Sequence, residues 1–404
     1  MNIKRLNADF GNSTYNVLAD SYYFELTTSV AEISKEEAEG LFTTTVDNVK
    51  DLLDRLLITT MIDDEERFFM VGKLAEANLK SNSHIGKMHD KITSHIPYVS
   101  FLASMAYYYK VNNLDAGEVG EIEIDKMQMM LPIWLLKKED KFSTAQNKMA
   151  NRFIKEHKVS LMTAGQELDL TIKVNAAKCH IESEVSRWAL KYKMVREKDA
   201  TVITKRIETK KFDDVSTVLI DVGGGSTDAV LLPEGLNAAV KRDSFQVINI
   251  DPFLGRLNKL LVDKLIQHFA DVRLLEKFIV DNYKTQKYIL KNPNTGEKTN
   301  LTEPIVSMLK EYADMLTYQV TQTFNGITDK TLKYIYIGGE APILSPYINE
   351  SIVKLYGEDI AENNHLFLAD LIEEDDKEIL KPNSRIINLV ALEILSLNEL
   401  HATV

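Results

Sequence analysis

Two short stretches determine the fold of this chain: DFGNSTYNV at residues 9–17 and DVGGGSTDAV at residues 221–230. In each, the aspartate ends an expected strand. A turn of small residues, a Ser-Thr pair and a second expected strand follow. This pattern predicts a β-hairpin at both places, because glycine and asparagine suit tight turns and apolar runs bounded by turn residues favour strands. The two stretches match each other, with one extra glycine in the second.

The chemistry of these hairpins points to phosphate binding. A turn of small residues exposes backbone N–H groups that can converge on a phosphate, and the aspartate, Asp9 or Asp221, can hold water around Mg²⁺. A single hairpin of this kind is more often a structural turn, but two related copies, each at the start of one half of the chain, favour a ligand site. Neither copy matches the P-loop or the dinucleotide-binding fingerprint.

The composition is that of a globular protein with two or three domains. The chain has 404 residues, of which 45% are hydrophobic and 27% are charged, and domains average about 150 residues. Its 48 Lys and Arg against 60 Asp and Glu leave a net charge of −12. Direct binding of nucleic acid is not expected, because the phosphates would have to be neutralised by excess cationic side chains. Contact with DNA is expected only through a basic partner.

Three features are typical of a cytoplasmic protein without a membrane segment. The single cysteine, Cys179, cannot form an internal disulfide, which fits a reducing compartment. The N-terminal MNIKRLN has no apolar run behind its basic residues, so no signal peptide is predicted. No apolar stretch of 18 residues is present, so no membrane span is predicted either.

Apolar periodicity predicts further elements around the two hairpins. Helices are expected over 47–57, 142–157, 180–190, 253–268, 272–283, 302–324 and 386–397, and also over 98–109, an apolar segment too long for a strand. Strands are expected over 67–74 with a turn at Gly72, over 127–136 with departure from the sheet at Pro132, over 167–178 and over 333–337. A hairpin is expected with its turn at 292–296. The polar stretch 197–214 is expected to separate two halves, and the acid-rich run 373–378 to be a solvated loop, with contact to a basic partner as the alternative.

The two hairpins resemble the phosphate loops of the superfamily that contains actins, heat-shock chaperone ATPases and sugar kinases. A third signal of that superfamily, an apolar strand ending in Gly-Gly against adenosine, is similar to YIYIGGEA at 334–341. Its two connecting helices are similar to ESEVSRWA at 182–189 and NLVALEIL at 388–395. DPFLGRLNKLL at 251–261 resembles the helix that follows the second hairpin in actins.

Within the superfamily, the resemblance is greatest to bacterial plasmid-segregation actins of the ParM and Alp type. It rests on NADFGN at 7–12, FMVGKLA at 69–75, LPI at 131–133 and IESE at 181–184. The resemblance implies an α/β, actin-like (ribonuclease H-like) ATPase fold, with two domains flanking a nucleotide cleft and a five-stranded mixed sheet in each.

The resemblance also implies domain limits. Domain I would comprise residues 1–178, with a small subdomain at roughly 25–110, and would be completed by the C-terminal helix 385–404. Domain II would comprise residues 179–384, with a small subdomain at roughly 245–325.

The family comparison assigns roles residue by residue. Asp9 and Asp221 match the aspartates that organise Mg²⁺ through water, and Glu182 matches the residue that positions the attacking water, with Glu184 as the alternative. The remaining cofactor-binding positions are implied to hold ATP or ADP, with GTP as an alternative: Gly11, Asn12, Ser13, Gly223, Gly224, Gly225, Ser226, Gly338, Gly339 and Glu340.

One position departs from the family pattern. Many relatives carry a lysine seven residues after the first aspartate, where this chain has Asn16. The phosphate charge would then be neutralised by Mg²⁺, by backbone dipoles or by another cation such as Lys284 or Lys287.

The implied function is an ATPase that polymerises head to tail into filaments and segregates plasmid DNA through a basic, DNA-bound adaptor. Three alternatives remain. A small-molecule kinase of the same superfamily would need a substrate pocket and an aspartate base, and a chaperone ATPase would need a peptide-binding domain after residue 384, where little chain follows. A cytoskeletal or scaffold actin homologue without a plasmid is the third.

Overall fold

The computed structural model describes residues 1–77, 89–114, 117–198, 200–327, 330–373 and 375–401. Residues 78–88 of the expected first subdomain and residue 374 of the acid-rich run lie outside the described residues. The chain forms two compact units: Met1–Ile181 with the residues from Leu395 onward, and Glu182–Ile394. Among the described residues, no helix is long and apolar enough to span a lipid bilayer.

The first unit is built on one mixed sheet of ten strands. These are β1 (Asn2–Phe10), β2 (Thr14–Ala19), β3 (Tyr22–Thr27), β4 (Val30–Ile33), β5 (Leu56–Ile62), β6 (Glu65–Val71), β7 (Val119–Leu131), β8 (Glu156–Leu161), β9 (Leu168–Val174) and β10 (Ala177–Ile181). Nine follow the order β3-β2-β1-β7-β9-β8-β5-β6-β4, and β10 also pairs with β7.

This sheet is wider than the five strands that the resemblance implied, because β7 is long enough to pair with three others. Its residues 123–129 pair with β1. Its residues 119–124 pair with β9 and its residues 127–131 pair with β10, so β9 and β10 pair with successive segments of β7. The pairing with β9 extends the sheet through β8, β5, β6 and β4.

Helices of the first unit cover parts of this sheet. They are α1 (Lys35–Glu39), α2 (Lys73–Ala77), α3 (His95–Asn112), α4 (Ile133–Leu136) and α5 (Phe142–Asn151), with a 3₁₀ helix at Val49–Asp54. α3 is apolar on nearly every side, and Val99, Phe101, Leu102 and Met105 are fully buried in the core. A helix with this pattern is stable only when it is covered by other elements.

The second unit contains a five-stranded mixed sheet and two separate hairpins. Its strands are β11 (Tyr192–Glu197), β12 (Ala200–Lys205), β13 (Thr217–Val222), β14 (Thr227–Leu232), β15 (Phe245–Val247), β16 (Ile289–Lys291), β17 (Lys298–Asn300), β18 (Lys333–Ile337) and β19 (His365–Phe367). The sheet has the order β15-β14-β13-β18-β19, and the hairpins are β11–β12 and β16–β17.

Its helices are α6 (Arg187–Lys191), α7 (Phe253–Leu260), α8 (Val272–Asn282), α9 (Thr302–Phe324), α10 (Ala341–Tyr356), α11 (Glu358–Asn364) and α12 (Ile387–His401), of which α12 extends into the first unit. A π-helical turn, Leu261–Leu265, continues α7. Short 3₁₀ helices occur at Glu184–Ser186, Ile207–Phe212, Glu234–Leu236, Arg242–Ser244 and Leu368–Asp370.

The predictions with the clearest periodicity are confirmed. They are the two glycine hairpins, the helices at 98–109, 272–283, 302–324 and 386–397, the strand at 333–337 and the hairpin around 292–296. The α-helix expected over 47–57 is wrong, since a 3₁₀ helix at 49–54 gives way to β5. The helix expected over 142–157 stops at Asn151, and the alternating burial of 156–161 belongs to β8.

Other boundaries were misplaced where two short elements follow each other. The strand expected over 167–178 is divided between β9 and β10. By contrast, the turn expected at Gly72 and the departure from the sheet at Pro132 are confirmed, since β6 ends at Val71 and β7 ends at Leu131. The helix over 253–268 ends as α7 at Leu260 with the π-helical turn behind it. The helix over 180–190 is wrong in its first half, which is the end of β10 and a turn.

The polar stretch expected to separate the halves and the acid-rich run expected to be a solvated loop both differ from those expectations. The polar stretch 197–214 contains β12 and a 3₁₀ helix and lies inside the second unit. The acid-rich run is not simply solvated: Glu378 is buried against Arg206, and Asp375 pairs with Lys193 at 2.5 Å. The ion pair with Lys193 holds the pKa of Asp375 below its usual value.

Candidate functional site

The first hairpin requires glycine at its turn. Gly11 donates its N–H to the carbonyl oxygen of Asp9 at 2.9 Å. A Cβ at Gly11 would lie 2.5 Å from the carbonyl oxygen of Thr14, so any larger residue would open the turn. Thr28 braces the same turn, because its Oγ1 donates to the Gly11 carbonyl at 2.7 Å and its N–H donates to Ser13 O at 3.0 Å.

Asn16, at the position where many relatives carry lysine, lies directly across the hairpin from Asp9. Paired residues of an antiparallel ladder share one face of the sheet, so both side chains project to the same side. Asn16 is buried, and its Oδ1 accepts a hydrogen bond from Tyr23 Oη at 3.0 Å. Its amide therefore contributes no positive charge beside Asp9, which is also buried.

The second hairpin closes in a four-residue turn. Gly223 donates its N–H to Ser226 O at 3.0 Å, and a Cβ at Gly223 would sit 3.0 Å from that oxygen. Asp221 lies opposite Asp228 in the ladder, so two buried carboxyl groups share one face at the base of the turn. Gly225 is buried, whereas Gly223, Gly224 and Ser226 are half-buried.

The strand that ends in Gly-Gly packs against this aspartate. Gly338 has φ +94°, and a Cβ there would lie 2.4 Å from Asp221 Oδ1 and 2.5 Å from Val222 O. Gly339 is different: within the described part of the chain, nothing lies within 4 Å of the Cβ that it would carry. Gly338 is thus required by the protein itself, while the space at Gly339 is open.

Glu340 links this motif to the second hairpin. Its N–H donates to Val222 O at 3.1 Å, and its Oε1 lies 3.6 Å from the Cβ position of Gly224. Burial and the nearby Glu276 carboxylate raise the pKa of Glu340 to about 8, although Arg385 and Arg273 act in the opposite direction. Among the described residues, no hydrogen-bond partner reaches Oε2 of Glu340. This carboxyl group therefore takes up a proton more readily than an exposed glutamate does.

Asp221 is held by side chains from two other elements of the second unit. Nδ2 of Asn388, in the first turn of α12, donates to Asp221 Oδ2 at 3.1 Å. Ser183 Oγ lies 3.5 Å from the same oxygen, and Ser186 Oγ donates to Asn388 Oδ1. Sequence reasoning missed Asn388, Ser183 and Ser186; the signal available at 388 was a polar residue in a largely apolar helical run.

The segment from Glu182 to Glu184 is a strained turn. Ser183 has φ 68° and ψ −55°, and the N–H of Glu184 donates to the carbonyl oxygen of Glu182 at 2.8 Å. These values describe a γ-turn of the rare, positive-φ kind, which costs backbone energy and is found mainly at functional sites. Glu182 is half-buried. Glu184 accepts a hydrogen bond from Arg187 Nε at 2.5 Å, in a largely buried ion pair.

These groups fit a hydrated divalent cation with a phosphate. A buried, hydrogen-bonded carboxylate is a suitable ligand for the waters of Mg²⁺, and tight turns without side chains suit a phosphate. The second unit brings together Asp221, Gly224, Gly338 and Glu340, while the first unit brings together Asp9, Gly11 and the half-buried Asn12 and Ser13. Lys284 and Lys287 lie in the exposed segment between α8 and β16.

Comparison with known proteins identifies the family. A family profile described as the Alp7A C-terminal domain matches residues 216–371. The crystal structure of the actin-like protein Alp7A is 45% identical in sequence, covers 100% of this chain and 98% of that chain, and has a TM-score of 0.86. This chain belongs to the Alp7A family of actin-like proteins. A comparison with curated protein sequences finds no match.

More distant structures share the fold of this Alp7A-family chain. ParM of Bacillus thuringiensis with ATP is 15% identical, with a TM-score of 0.64 and coverage of 99% of this chain and 100% of that chain. A 15-stranded ParM filament from Clostridium botulinum is 13% identical, with a TM-score of 0.64 and coverage of 98% and 100%. The predicted actin-like α/β fold and the resemblance to the ParM and Alp type are confirmed.

Proposed function

We propose that this Alp7A-family chain binds and hydrolyses ATP and polymerises into filaments that segregate plasmid DNA. The observation that carries the proposal is the pair of aspartate hairpins, one in each unit, each with a turn that admits only small residues. ParM of Bacillus thuringiensis has been solved with ATP, ADP and AMPPNP, which supports a nucleotide at the same motifs of the fold.

The roles follow from the chemistry of each group. Asp9 and Asp221 orient the waters of Mg²⁺, which neutralises phosphate charge when bound. The backbone of residues 11–13 and 223–226 cradles the phosphates, and residues 338–340 border the adenosine. Because Asn16 is neutral, backbone dipoles and the metal carry more of the charge neutralisation than in relatives with lysine.

We assign the positioning of the attacking water to Glu182. Glu184, whose carboxylate accepts a hydrogen bond from Arg187, is the alternative. Phosphoryl transfer needs little covalent help, so one oriented water is sufficient chemistry for hydrolysis.

The filament is proposed to form by head-to-tail contacts between copies of this chain. Such a contact is heterologous and generates open polymers, and a ParM of Clostridium botulinum forms a 15-stranded filament. With a net charge of −12, the filament would hold DNA through a basic adaptor in the cytoplasm. Small subdomains at roughly 25–110 and 245–325 are part of the same proposal.

The test combines light scattering and phosphate release after addition of Mg-ATP. We expect scattering to rise and phosphate to appear without any added substrate. Asp9→Asn and Asp221→Asn should each lower phosphate release by about 10²-fold, because the charge that orients the metal waters is lost. Asp214→Asn, at an exposed position of the same unit as Asp221, is the matched control and should behave like wild type.

Two results would contradict the proposal. Phosphate transfer to a small hydroxyl compound without scattering would favour the kinase alternative. Absence of both scattering and phosphate release in the wild-type protein would exclude an ATP-driven filament. A scaffold homologue would polymerise without any dependence on ATP hydrolysis.

A further inference from the structure

We propose that Asn388 is a positioning residue for Mg-nucleotide, which acts by fixing the carboxylate of Asp221. The inference rests on the proposed function, since it concerns the same site. Asn388 lies in α12, which is similar to a connecting helix of the superfamily. That similarity assigns no role to the side chain of Asn388. Ser186, from the 3₁₀ helix Glu184–Ser186, completes the arrangement by fixing Asn388.

The carboxylate of Asp221 is constrained by donors on two elements. Asn388 Nδ2 is 3.1 Å from Asp221 Oδ2, and Ser183 Oγ is 3.5 Å from the same atom. All three side chains are at most 8% exposed. Since one carboxylate oxygen is bound from α12 and from the γ-turn, rotation of the carboxylate would break both contacts.

The two hydrogen bonds of the Asn388 amide use its two ends. Its NH₂ group donates to Asp221 Oδ2. The amide oxygen therefore faces Ser186, whose hydroxyl donates to it. Ser186 is fully buried, so water does not compete for this bond. Removal of the Ser186 hydroxyl therefore acts on Asp221 through Asn388.

This arrangement matters for a metal held through water. The waters around Mg²⁺ take their orientation from the lone pairs of the carboxylate, so a carboxylate that rotates freely binds them less well. Groups that orient metal-binding residues commonly contribute ten- to hundredfold to metal affinity. Asn388 supplies this orientation without contacting the nucleotide itself, so its effect should depend on the metal.

The experiment is calorimetric titration of the full-length protein with ADP, once with excess Mg²⁺ and once in EDTA. In the Mg²⁺ titration, we expect Asn388→Ala to weaken binding about tenfold, the loss of one hydrogen bond to a charged group. In EDTA the change should stay below about twofold, because no metal waters need orienting. Asn398→Ala, a half-buried position of the same helix, is the control and should match wild type in both titrations.

Ser186→Ala provides a second, smaller change. We expect about threefold weaker binding with Mg²⁺, and no further loss when Ser186→Ala is added to Asn388→Ala, because both act through one contact. Should Asn388→Ala fail to fold, the Mg²⁺-dependent effect of Ser186→Ala alone decides the matter.

The inference is overturned if Asn388→Ala weakens ADP binding equally in the Mg²⁺ and EDTA titrations, or if it weakens binding in neither titration. It is also overturned if Ser186→Ala has no Mg²⁺-dependent effect on ADP binding. The same holds if adding Ser186→Ala to Asn388→Ala weakens binding as much as Ser186→Ala does alone. Absence of ADP binding by the wild-type protein in both titrations is a different outcome, which contradicts both the proposed function and the inference.

Discussion

At the scale of single residues, Gly338 and Gly339 are neighbours with different constraints. Gly338 needs a positive φ and lies so close to Asp221 and Val222 that a Cβ would overlap them. Gly339 has room for a Cβ within the described part of the chain. The proposed adenosine would occupy the space beside Gly339. We therefore expect Gly338 to be needed for the stability of the protein and Gly339 to be needed for nucleotide binding.

Gly338→Ala should lower the free energy of unfolding by about 2 kcal/mol or more, from backbone strain and displacement of Asp221. Gly339→Ala should change stability by less than about 0.5 kcal/mol while weakening ADP binding, and Gly339→Val should weaken it further. Circular dichroism melts and ADP titration measure the two effects. Full ADP affinity in a folded Gly339→Val variant would place the adenosine elsewhere.

At the scale of elements, the β11–β12 hairpin is fastened to the segment 375–379 of the same unit. Arg206 donates from Nη1 and Nη2 to the carboxylate of Glu378 and from Nε to Ala189 O, and Ile379 N–H donates to Met194 O at 3.0 Å. The Arg206 and Glu378 side chains are at most 2% exposed. This buried ion pair explains why residues 375–379 lie against the hairpin.

Arg206→Ala should lower the unfolding free energy by about 3 kcal/mol or more, because it leaves the Glu378 carboxylate buried and unpaired. Replacing both partners, Arg206→Met with Glu378→Leu, should cost less than Arg206→Ala alone, since no charge remains to be buried. Thermal and urea denaturation measure these changes. Lys193→Ala, which breaks the more exposed pair with Asp375, is the control and should have a much smaller effect. A double variant that is less stable than either single one would contradict this account.

At the scale of the whole molecule, hydrolysis and assembly are expected to be coupled. If Glu182 positions the attacking water, its loss slows the chemical step without removing a contact to bound ATP. Loss of a positioned water costs on the order of 10²-fold in rate, about 2.7 kcal/mol of barrier. Because hydrolysis is proposed to weaken the filament, slow hydrolysis should prolong its lifetime.

Glu182→Ala should therefore bind ATP and polymerise, release phosphate about 10²-fold more slowly, and persist as polymer after wild-type filaments have disassembled. Phosphate release and light scattering on one sample provide the measurement, with Glu184→Ala in parallel. Glu184→Ala should retain near-wild-type turnover, because its carboxylate is paired with Arg187. If Glu184→Ala instead shows the slow, long-lived behaviour, the role belongs to Glu184.

The amino-acid sequence by itself determined the parts of this protein that are encoded locally. Both glycine hairpins and the strand before Gly338 follow from apolar runs bounded by turn residues, α9 follows from its apolar periodicity, and α3 follows from the length of its apolar segment. The actin-like family was recognisable for the same reason, since its motifs are short and contiguous. Boundaries failed where two short elements adjoin, as at residues 180–191.

Only the tertiary structure decided what depends on distant partners. Asn388 meets Asp221 across 167 positions of the chain, and Ser186 meets Asn388 across 202. The width of the first sheet depended on which strands share β7, and the fate of the acid-rich run depended on Arg206. Periodicity reports which face of an element is buried, but not which element covers it. A buried polar side chain is satisfied by whichever group the fold brings to it, and that group is specified only when the chain has folded.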